Sequence, residues 1–249
     1  MSREALRKSL PWPTTPKSGP LILVADAFVQ YIEHSWHTWY CFLVRAVDGE
    51  DAVILSPICR KGTEVAQGWQ ESFSTLSDSI LERTVALVCD GHNGLILEAR
   101  RRHWLIQRCH FHLIARLQSK RSRWRRGFHQ KEGKLIYQLV MQIIETCSDR
   151  TIKKSLEQLM DIGRVTTSKD VRRVISGVMT NWSDYRTYQR YPELNLPITS
   201  NTAESFIGLV RNLLHRARGF RTVRSMSCWI EALVKTQKTI KCRGKNQPN

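Results

Sequence analysis

The sequence predicts an α/β fold: a mixed five-stranded sheet flanked by helices, with an all-helical insertion before the last helix. Two observations carry this. Short apolar runs recur with turn signals between them, and a long stretch of helical periodicity follows the last of these runs. At 249 residues the chain can bury a sizeable core without disulfides.

Residues 1–20 contain Pro11, Pro13, Pro16 and Pro20 and read as an extended leader. Leu21-Ile22-Leu23-Val24-Ala25 reads as a strand buried on both faces, and Thr38 to Val47 with Asp51 to Ile58 as two more, joined through Asp48-Gly49. Val65, Trp69, Phe73, Leu76 and Ile80 recur at helical spacing and predict one helix from Thr63 to Arg83. Thr84 to Cys89 is a fourth strand, Gly91 to Arg102 a helix, and Trp104 to Arg108 a fifth strand. This order of three strands, helix, strand, helix, strand is what an RNase H-like sheet requires. Residues 21–112 and 196–239 then form the two parts of the core, with 113–195 as the helical insertion and 240–249 as a disordered basic tail.

The 39 Lys and Arg against 22 Asp and Glu are unevenly placed. Residues 1–98 hold 8 basic and 12 acidic side chains, and the remainder hold 31 and 10. From Arg100 to Arg126 there are 10 basic residues and no acid, with Trp104 and Trp124 interleaved, a pattern suited to a polyanionic partner. A solvated helix face is the plainer alternative. No apolar run is long enough for a membrane span and the start lacks a secretory signal, so a cytoplasmic protein, nucleoid-associated when bound to DNA, is expected. Seven scattered cysteines are read as reduced thiols.

Asp26 and Asp90 each follow a buried apolar strand directly, where a carboxylate is costly unless it is hydrogen-bonded or binds a cation. Strand ends facing one crevice are where open α/β sheets place ligands. Glu204 opens the last helix in Ile198-Thr-Ser-Asn-Thr-Ala-Glu-Ser-Phe, and Asn201-x-x-Glu204 has a capping-box spacing that explains it without chemistry. Cys109 and His112, or Cys89 and His92, have spacing that a zinc site tolerates. A structural Cys109 and His112 pair beside the strand ends is the preferred reading, and zinc is not expected. Arg211, Arg216, Arg218, Arg221 and Arg224 follow Glu204 in a stretch without acids, placing cations where a DNA backbone near the site would lie. Trp182 in Asn181-Trp-Ser-Asp is a candidate for stacking on a flipped base, against a plainer role in the core.

Asp90-Gly-His-Asn-Gly-Leu, the Gln107-Arg-Cys-His-Phe-His element and Thr199-Ser-Asn-Thr-Ala-Glu204, continued by Leu214 to Arg221, resemble in order the motifs of Mutator-like transposases and related bacterial insertion-sequence transposases. The resemblance covers Leu21 to about Gln237. It implies a DDE catalytic domain, with Asp26, Asp90 and Glu204 holding two Mg²⁺ or Mn²⁺ ions for strand cleavage followed by strand transfer. Hard oxygen ligands suit those ions, and a two-metal site promotes in-line displacement at phosphorus.

The implied partners are DNA, as element ends and target, and further copies of the chain assembled on it. Relatives carry a DNA-binding region ahead of the first aspartate, whereas 25 residues precede Asp26 here. A separate reading frame supplying that region, or a shortened copy, is therefore expected. A metal-dependent nuclease without strand joining and a non-catalytic DNA-binding remnant are the competing readings.

Overall fold

The computed structural model describes residues 10–124 and 130–244, the side chains at 121–124 excepted. Strands β1 (Leu21–Ile32), β2 (Ser35–Ala46), β3 (Asp51–Ile54), β4 (Ile58–Lys61), β5 (Thr84–Cys89), β6 (Leu105–Arg108) and β7 (Thr239–Lys241) form one sheet. Its order is β6-β5-β1-β2-β3-β7, with β4 also paired to β2. β1, β5 and β6 run parallel, and β2, β3, β4 and β7 add antiparallel partners. This mixed sheet flanked by helices is consistent with the RNase H-like α/β fold. All five expected strands are present, one of them split in two, and the short β7 extends the sheet. The expected strand Asp51 to Ile58 divides into β3 and β4 around Pro57, which has no N–H to give to a ladder.

Period-two alternation sorts the core into two layers. Ile22, Val24, Phe28, Trp39, Cys41, Ala86 and Val88 face one side, under Ala203, Phe206 and Val210 of α9 (Asn201–Arg216) and Met226, Ile230 and Val234 of α10 (Val223–Gln237). Leu21, Leu23, Ala25, Tyr40, Phe42, Leu87 and Cys89 face the other, against Trp69 and Phe73 of α1 (Ala66–Phe73), Ile80 of α2 (Asp78–Arg83) and Leu95 of α3 (Asn93–Arg101). The single helix expected over Thr63 to Arg83 is thus two. The hydroxyls of Ser74 and Thr75 bond back to the carbonyls of Glu71 and Ser72, each at 2.7 Å, and end the first helix.

Helices α4 (His110–Trp124), α5 (Gln130–Glu145), α6 (Asp149–Val165) and α7 (Lys169–Asn181) enclose a third core of Leu113, Leu117, Ile136, Leu139, Val140, Ile143, Leu159, Val171 and Val174. The stripe read from the sequence at Ile136, Leu139, Val140, Ile143 and Ile144 is buried here, whereas Leu135 is exposed. A short turn and α8 (Thr187–Arg190) lead back to the sheet.

The tail expected to be disordered from 240 is ordered in its first part. Ile240 and Lys241 belong to β7 and pair with β3, Ile54 N donates to Lys238 O at 2.9 Å, and Cys242 N donates to Glu50 O at 2.7 Å. The fully buried Arg45 donates to the carbonyls of Cys242 and Asn195, each at 2.7 Å, clasping the tail against the sheet from 197 positions away. Residues 245–249 lie outside the described residues. In the leader, residues 10–20 form neither helix nor strand, but Arg83 donates to Pro16 O at 2.8 Å and Gly19 O at 2.9 Å and Lys235 lies 4.5 Å from the Trp12 ring centre.

Candidate active site

β1 pairs with β5 from Leu21 to Val24, ending at Val24 opposite Val88, while it stays paired with β2 through Ile32. The expectation that Asp26 follows the end of its strand is therefore corrected: β2 holds β1 extended beyond it. What ends after Val24 is the pairing with β5, and there a crevice opens between the two strands. Continuing the register from Val24 and Val88 by two places sets Asp26 level with Asp90 across this crevice. Alternation from Val24 and from Val88 turns both aspartates toward the α9 side of the sheet.

Each aspartate is tied down locally. Ala27 N donates to Asp26 Oδ1 and His92 N to Asp90 Oδ1, both at 2.8 Å. Burial pushes the Asp26 carboxyl up to about 7. The Ala27 N–H opposes the shift, Asp90 and Glu204 add to it by charge repulsion, and His112 works against it. Asp90 and Glu204 thus both act by charge on the Asp26 carboxyl from positions far away in sequence.

Glu204 lies in the first turn of α9. The capping box expected from Asn201 is not formed. Ser200 is the N-cap, Ala203 N and Glu204 N donate to its carbonyl at 2.8 and 3.1 Å, and Asn201 is exposed within the helix. Glu204 Oε1 is buried without a hydrogen bond and lies 3.6 Å from His112 Nδ1, itself buried without a hydrogen bond. An acceptor left in this state is costly unless a cation compensates it.

Cys109, His112 and Glu204 offer ligand atoms within 4.8 Å of one another. Cys109 is anchored on both sides: its N–H donates to Cys89 O at 2.7 Å and its Sγ accepts from Ser200 N at 3.2 Å. Burial acts to raise its thiol, but hydrogen bonds from His112 and Ser200 outweigh it and bring the thiol below its usual range. The hydrogen bond to Cys109, helped by the charges of Cys109, Asp26 and Glu204, outweighs burial and raises His112 to about 9. At neutral pH the pair carries an imidazolium between two carboxylates. The Cys89 and His92 pair is differently engaged: Cys89 is fully buried in the opposite layer, and His92 accepts from Gly94 N at 3.1 Å and lies 3.9 Å from Glu64.

Several contributors were not singled out as site residues by the sequence. Gln107 donates to Tyr185 O at 3.1 Å and accepts from Tyr188 N at 2.9 Å, and the His110 ring pairs with Tyr185 O at 2.6 Å. These contacts fasten the end of the insertion to β6. Glu64, bonded to Trp69 Nε1 at 2.8 Å, is influenced by the charges of His92, Asp90 and His112. Its only sequence clue is an acid just ahead of the amphipathic helix.

The cationic candidates divide. Arg211, Arg216, Arg218, Arg221 and Arg224 are all exposed. Along α9, Arg211 stands 7 and Arg216 12 positions past Glu204, about 10 and 18 Å at 1.5 Å per residue. In the basic stretch, Arg100, Arg101 and Arg116 are exposed, yet acids pair with several members: Glu98 takes Arg101 and Arg102, Asp184 takes Arg108 and Asp170 takes Lys120. Trp104 is buried against Phe73, so it packs rather than interleaves. The side chains of Arg121, Arg123 and Trp124, and the whole of Arg125 and Arg126, lie outside the described residues. Trp182 caps α7, packs on the insertion core and lines a largely apolar groove with Ile152, Leu156 and Met179.

A family model described as "Transposase, Mutator family" matches residues 37–239, a segment that holds Asp90, Cys109, His112 and Glu204 and begins 11 residues after Asp26. No curated protein matches the chain.

Proposed function

The chain belongs to the Mutator family of transposases, and from that premise we propose that it is a DDE catalytic domain in which Asp26, Asp90 and Glu204 hold two Mg²⁺ or Mn²⁺ ions. As a member of this family it acts on DNA, and among the described residues no helix is long and apolar enough to cross a membrane. The observation that carries the proposal is that Asp90 and Glu204 both act by charge on the buried Asp26 carboxyl, with Glu204 Oε1 left without a hydrogen bond in the first turn of α9.

The residues fit the ions. The Asp26 carboxyl is repelled by Asp90 and Glu204, a buried Glu204 oxygen has no hydrogen bond, and the hard carboxylate oxygens suit Mg²⁺. When bound, such ions supply charge neutralisation at phosphorus and lower the pKa of water. The protein's own part is positioning. The Ala27 and His92 N–H groups aim the two aspartates, and the Cys109 to Ser200 contact sets the start of α9 and so the place of Glu204. Asp90 is offered at the end of β5, where a phosphodiester can enter the crevice.

In the first displacement, water oxygen bonds to phosphorus as the bond to the 3′ oxygen breaks, and that oxygen leaves as a 3′-OH. In the second, this 3′-OH attacks a target phosphodiester and expels its 3′ oxygen. Element ends, target and further copies of the chain are the partners this reaction needs. Incubating the chain with supercoiled plasmid and Mg²⁺ or Mn²⁺, with and without an oligonucleotide bearing a free 3′-OH, tests the proposal. Nicking and joined product are expected, and both should vanish in Asp26→Asn and Glu204→Gln. Nicking without joining would leave only a nuclease.

A further inference from the structure

Arg108 ends β6 directly beside the strand that carries Asp90, paired with Cys89. Its guanidinium lies over Gly91, where an added Cβ would stand 2.8 Å from Nη1 and 2.9 Å from Cζ. Gly91 has φ +98°, so both the turn after Asp90 and the guanidinium above it depend on the missing side chain. Arg108 Nε faces Asp184 Oδ2 at 3.6 Å, with side chains only 13% and 19% exposed. That separation is too long for a hydrogen bond, and although the guanidinium hydrogen-bonds the Tyr185 side chain, the buried Nε has no partner of its own.

A desolvated ion pair with loose geometry is poor value as a structural clamp, because Coulomb attraction then barely offsets the loss of hydration. Arg100 and Arg190 also direct positive charge at Asp184, yet burial still holds its carboxyl above the usual range. Three arginines therefore act by charge on a single carboxylate that burial disfavours, beside the Gly91 turn over which the Arg108 guanidinium lies. Arginine forks match phosphate oxygens bidentately, a geometry this carboxylate does not fulfil.

We propose that Arg108, assisted by Arg100 and Arg190, binds a DNA backbone phosphate next to the one being cleaved, and that Asp184 holds the place of this phosphate until DNA displaces it. The proposal deepens the reading of the crevice as the DNA-cleaving site and rests on it for the direction of the strand. Asp184 comes from the end of the helical insertion, which the Gln107 and His110 contacts keep fastened to β6, so displacement moves its side chain alone.

The test is duplex binding by fluorescence anisotropy across a salt series, without divalent metal so that cleavage does not intervene, on Asp184→Asn, Arg108→Gln and Arg108→Lys. Asp184→Asn should tighten binding about threefold to tenfold, since it removes a competing charge. Arg108→Gln should weaken it and lower the slope of log affinity against log salt by about 1, with Arg108→Lys keeping the slope and losing part of the affinity. If Asp184→Asn weakens binding as Arg108→Gln does, or leaves it unchanged, the pair is a structural clamp and the proposal is overturned. Cleavage by the wild-type chain with Mg²⁺ is a separate readout. Its absence alongside the expected binding pattern would remove the catalytic reading and leave the phosphate site.

Discussion

Ser200 donates its backbone N–H to the Sγ of Cys109 at 3.2 Å, joining positions 91 apart in the chain. Because Cys109 also donates to Cys89 O, one residue fixes the start of α9 relative to the end of β5. A serine hydroxyl is shorter and cannot ionise beside His112, so Cys109→Ser should loosen the side-chain attachment to Ser200 while the backbone bond to Cys89 stays. A loss of about 1 kcal/mol in stability is expected, with cleavage down about 10- to 100-fold as Glu204 drifts. Thermal melts and plasmid nicking would read the two effects, and a variant matching wild type in both would make the contact incidental.

The three apolar runs and the two aspartates were legible because buried parallel strands read as continuous hydrophobic sequence and a carboxylate at such a run is conspicuous. The path of β1 beyond Asp26 was not. It depends on β2 pairing as far as Ser35 around Glu33 and His34, two residues at positive φ with none of the usual Asn-Gly signal. The capping-box reading of Glu204 failed for a local reason: the helix starts one residue earlier, at Ser200, and puts Asn201 inside it. Asp184, Tyr185 and Arg45 act through contacts 75 to 197 positions away, which no local pattern encodes.

Gly91→Ala should separate activity from binding. A Cβ at φ +98° is strained by roughly 1 to 2 kcal/mol and must also push the Arg108 guanidinium aside. The Asp90 turn would shift, so cleavage is expected to fall at least tenfold while metal-free duplex binding changes less. Single-turnover rates and anisotropy on the same preparation check this. Unimpaired cleavage would show that the turn tolerates displacement.

Neutralising Arg216, Arg218 and Arg221 to Gln should weaken duplex binding whatever the sequence and reduce the salt slope by up to about 3. All three are exposed, so the melting temperature should scarcely move. About 18 Å from Glu204 along α9 corresponds to roughly five base pairs. Shortening a duplex to end within that distance of the cleavage site should therefore abolish the difference between variant and wild type. A difference that persists on the short duplex would place these arginines on another path.

The sharpest expectation concerns Asp26, whose carboxyl is raised from 3.8 to about 7 chiefly by burial, with Asp90 and Glu204 adding repulsion. A carboxyl raised on folding binds its proton more tightly in the native state. Its contribution to stability is therefore full below the unfolded value near 4 and is lost as pH rises through about 7. Metal-free wild type should lose stability across that interval, by about 2 to 4 kcal/mol from this group. Asp26→Asn cannot ionise, so its stability should stay nearly level, and above pH 7 it should melt at a higher temperature than wild type. Mg²⁺ should reverse the order, because an ion that binds only the folded wild-type site stabilises it in proportion to occupancy. The same variant should lose cleavage and keep or tighten DNA binding, since a ligand and a negative charge disappear together. Melts at pH 5 and pH 8, each with and without Mg²⁺, contain the whole test. If Asp26→Asn melts below wild type at pH 8 without metal, the aspartate is held by unrecognised donors and the metal assignment at this position fails.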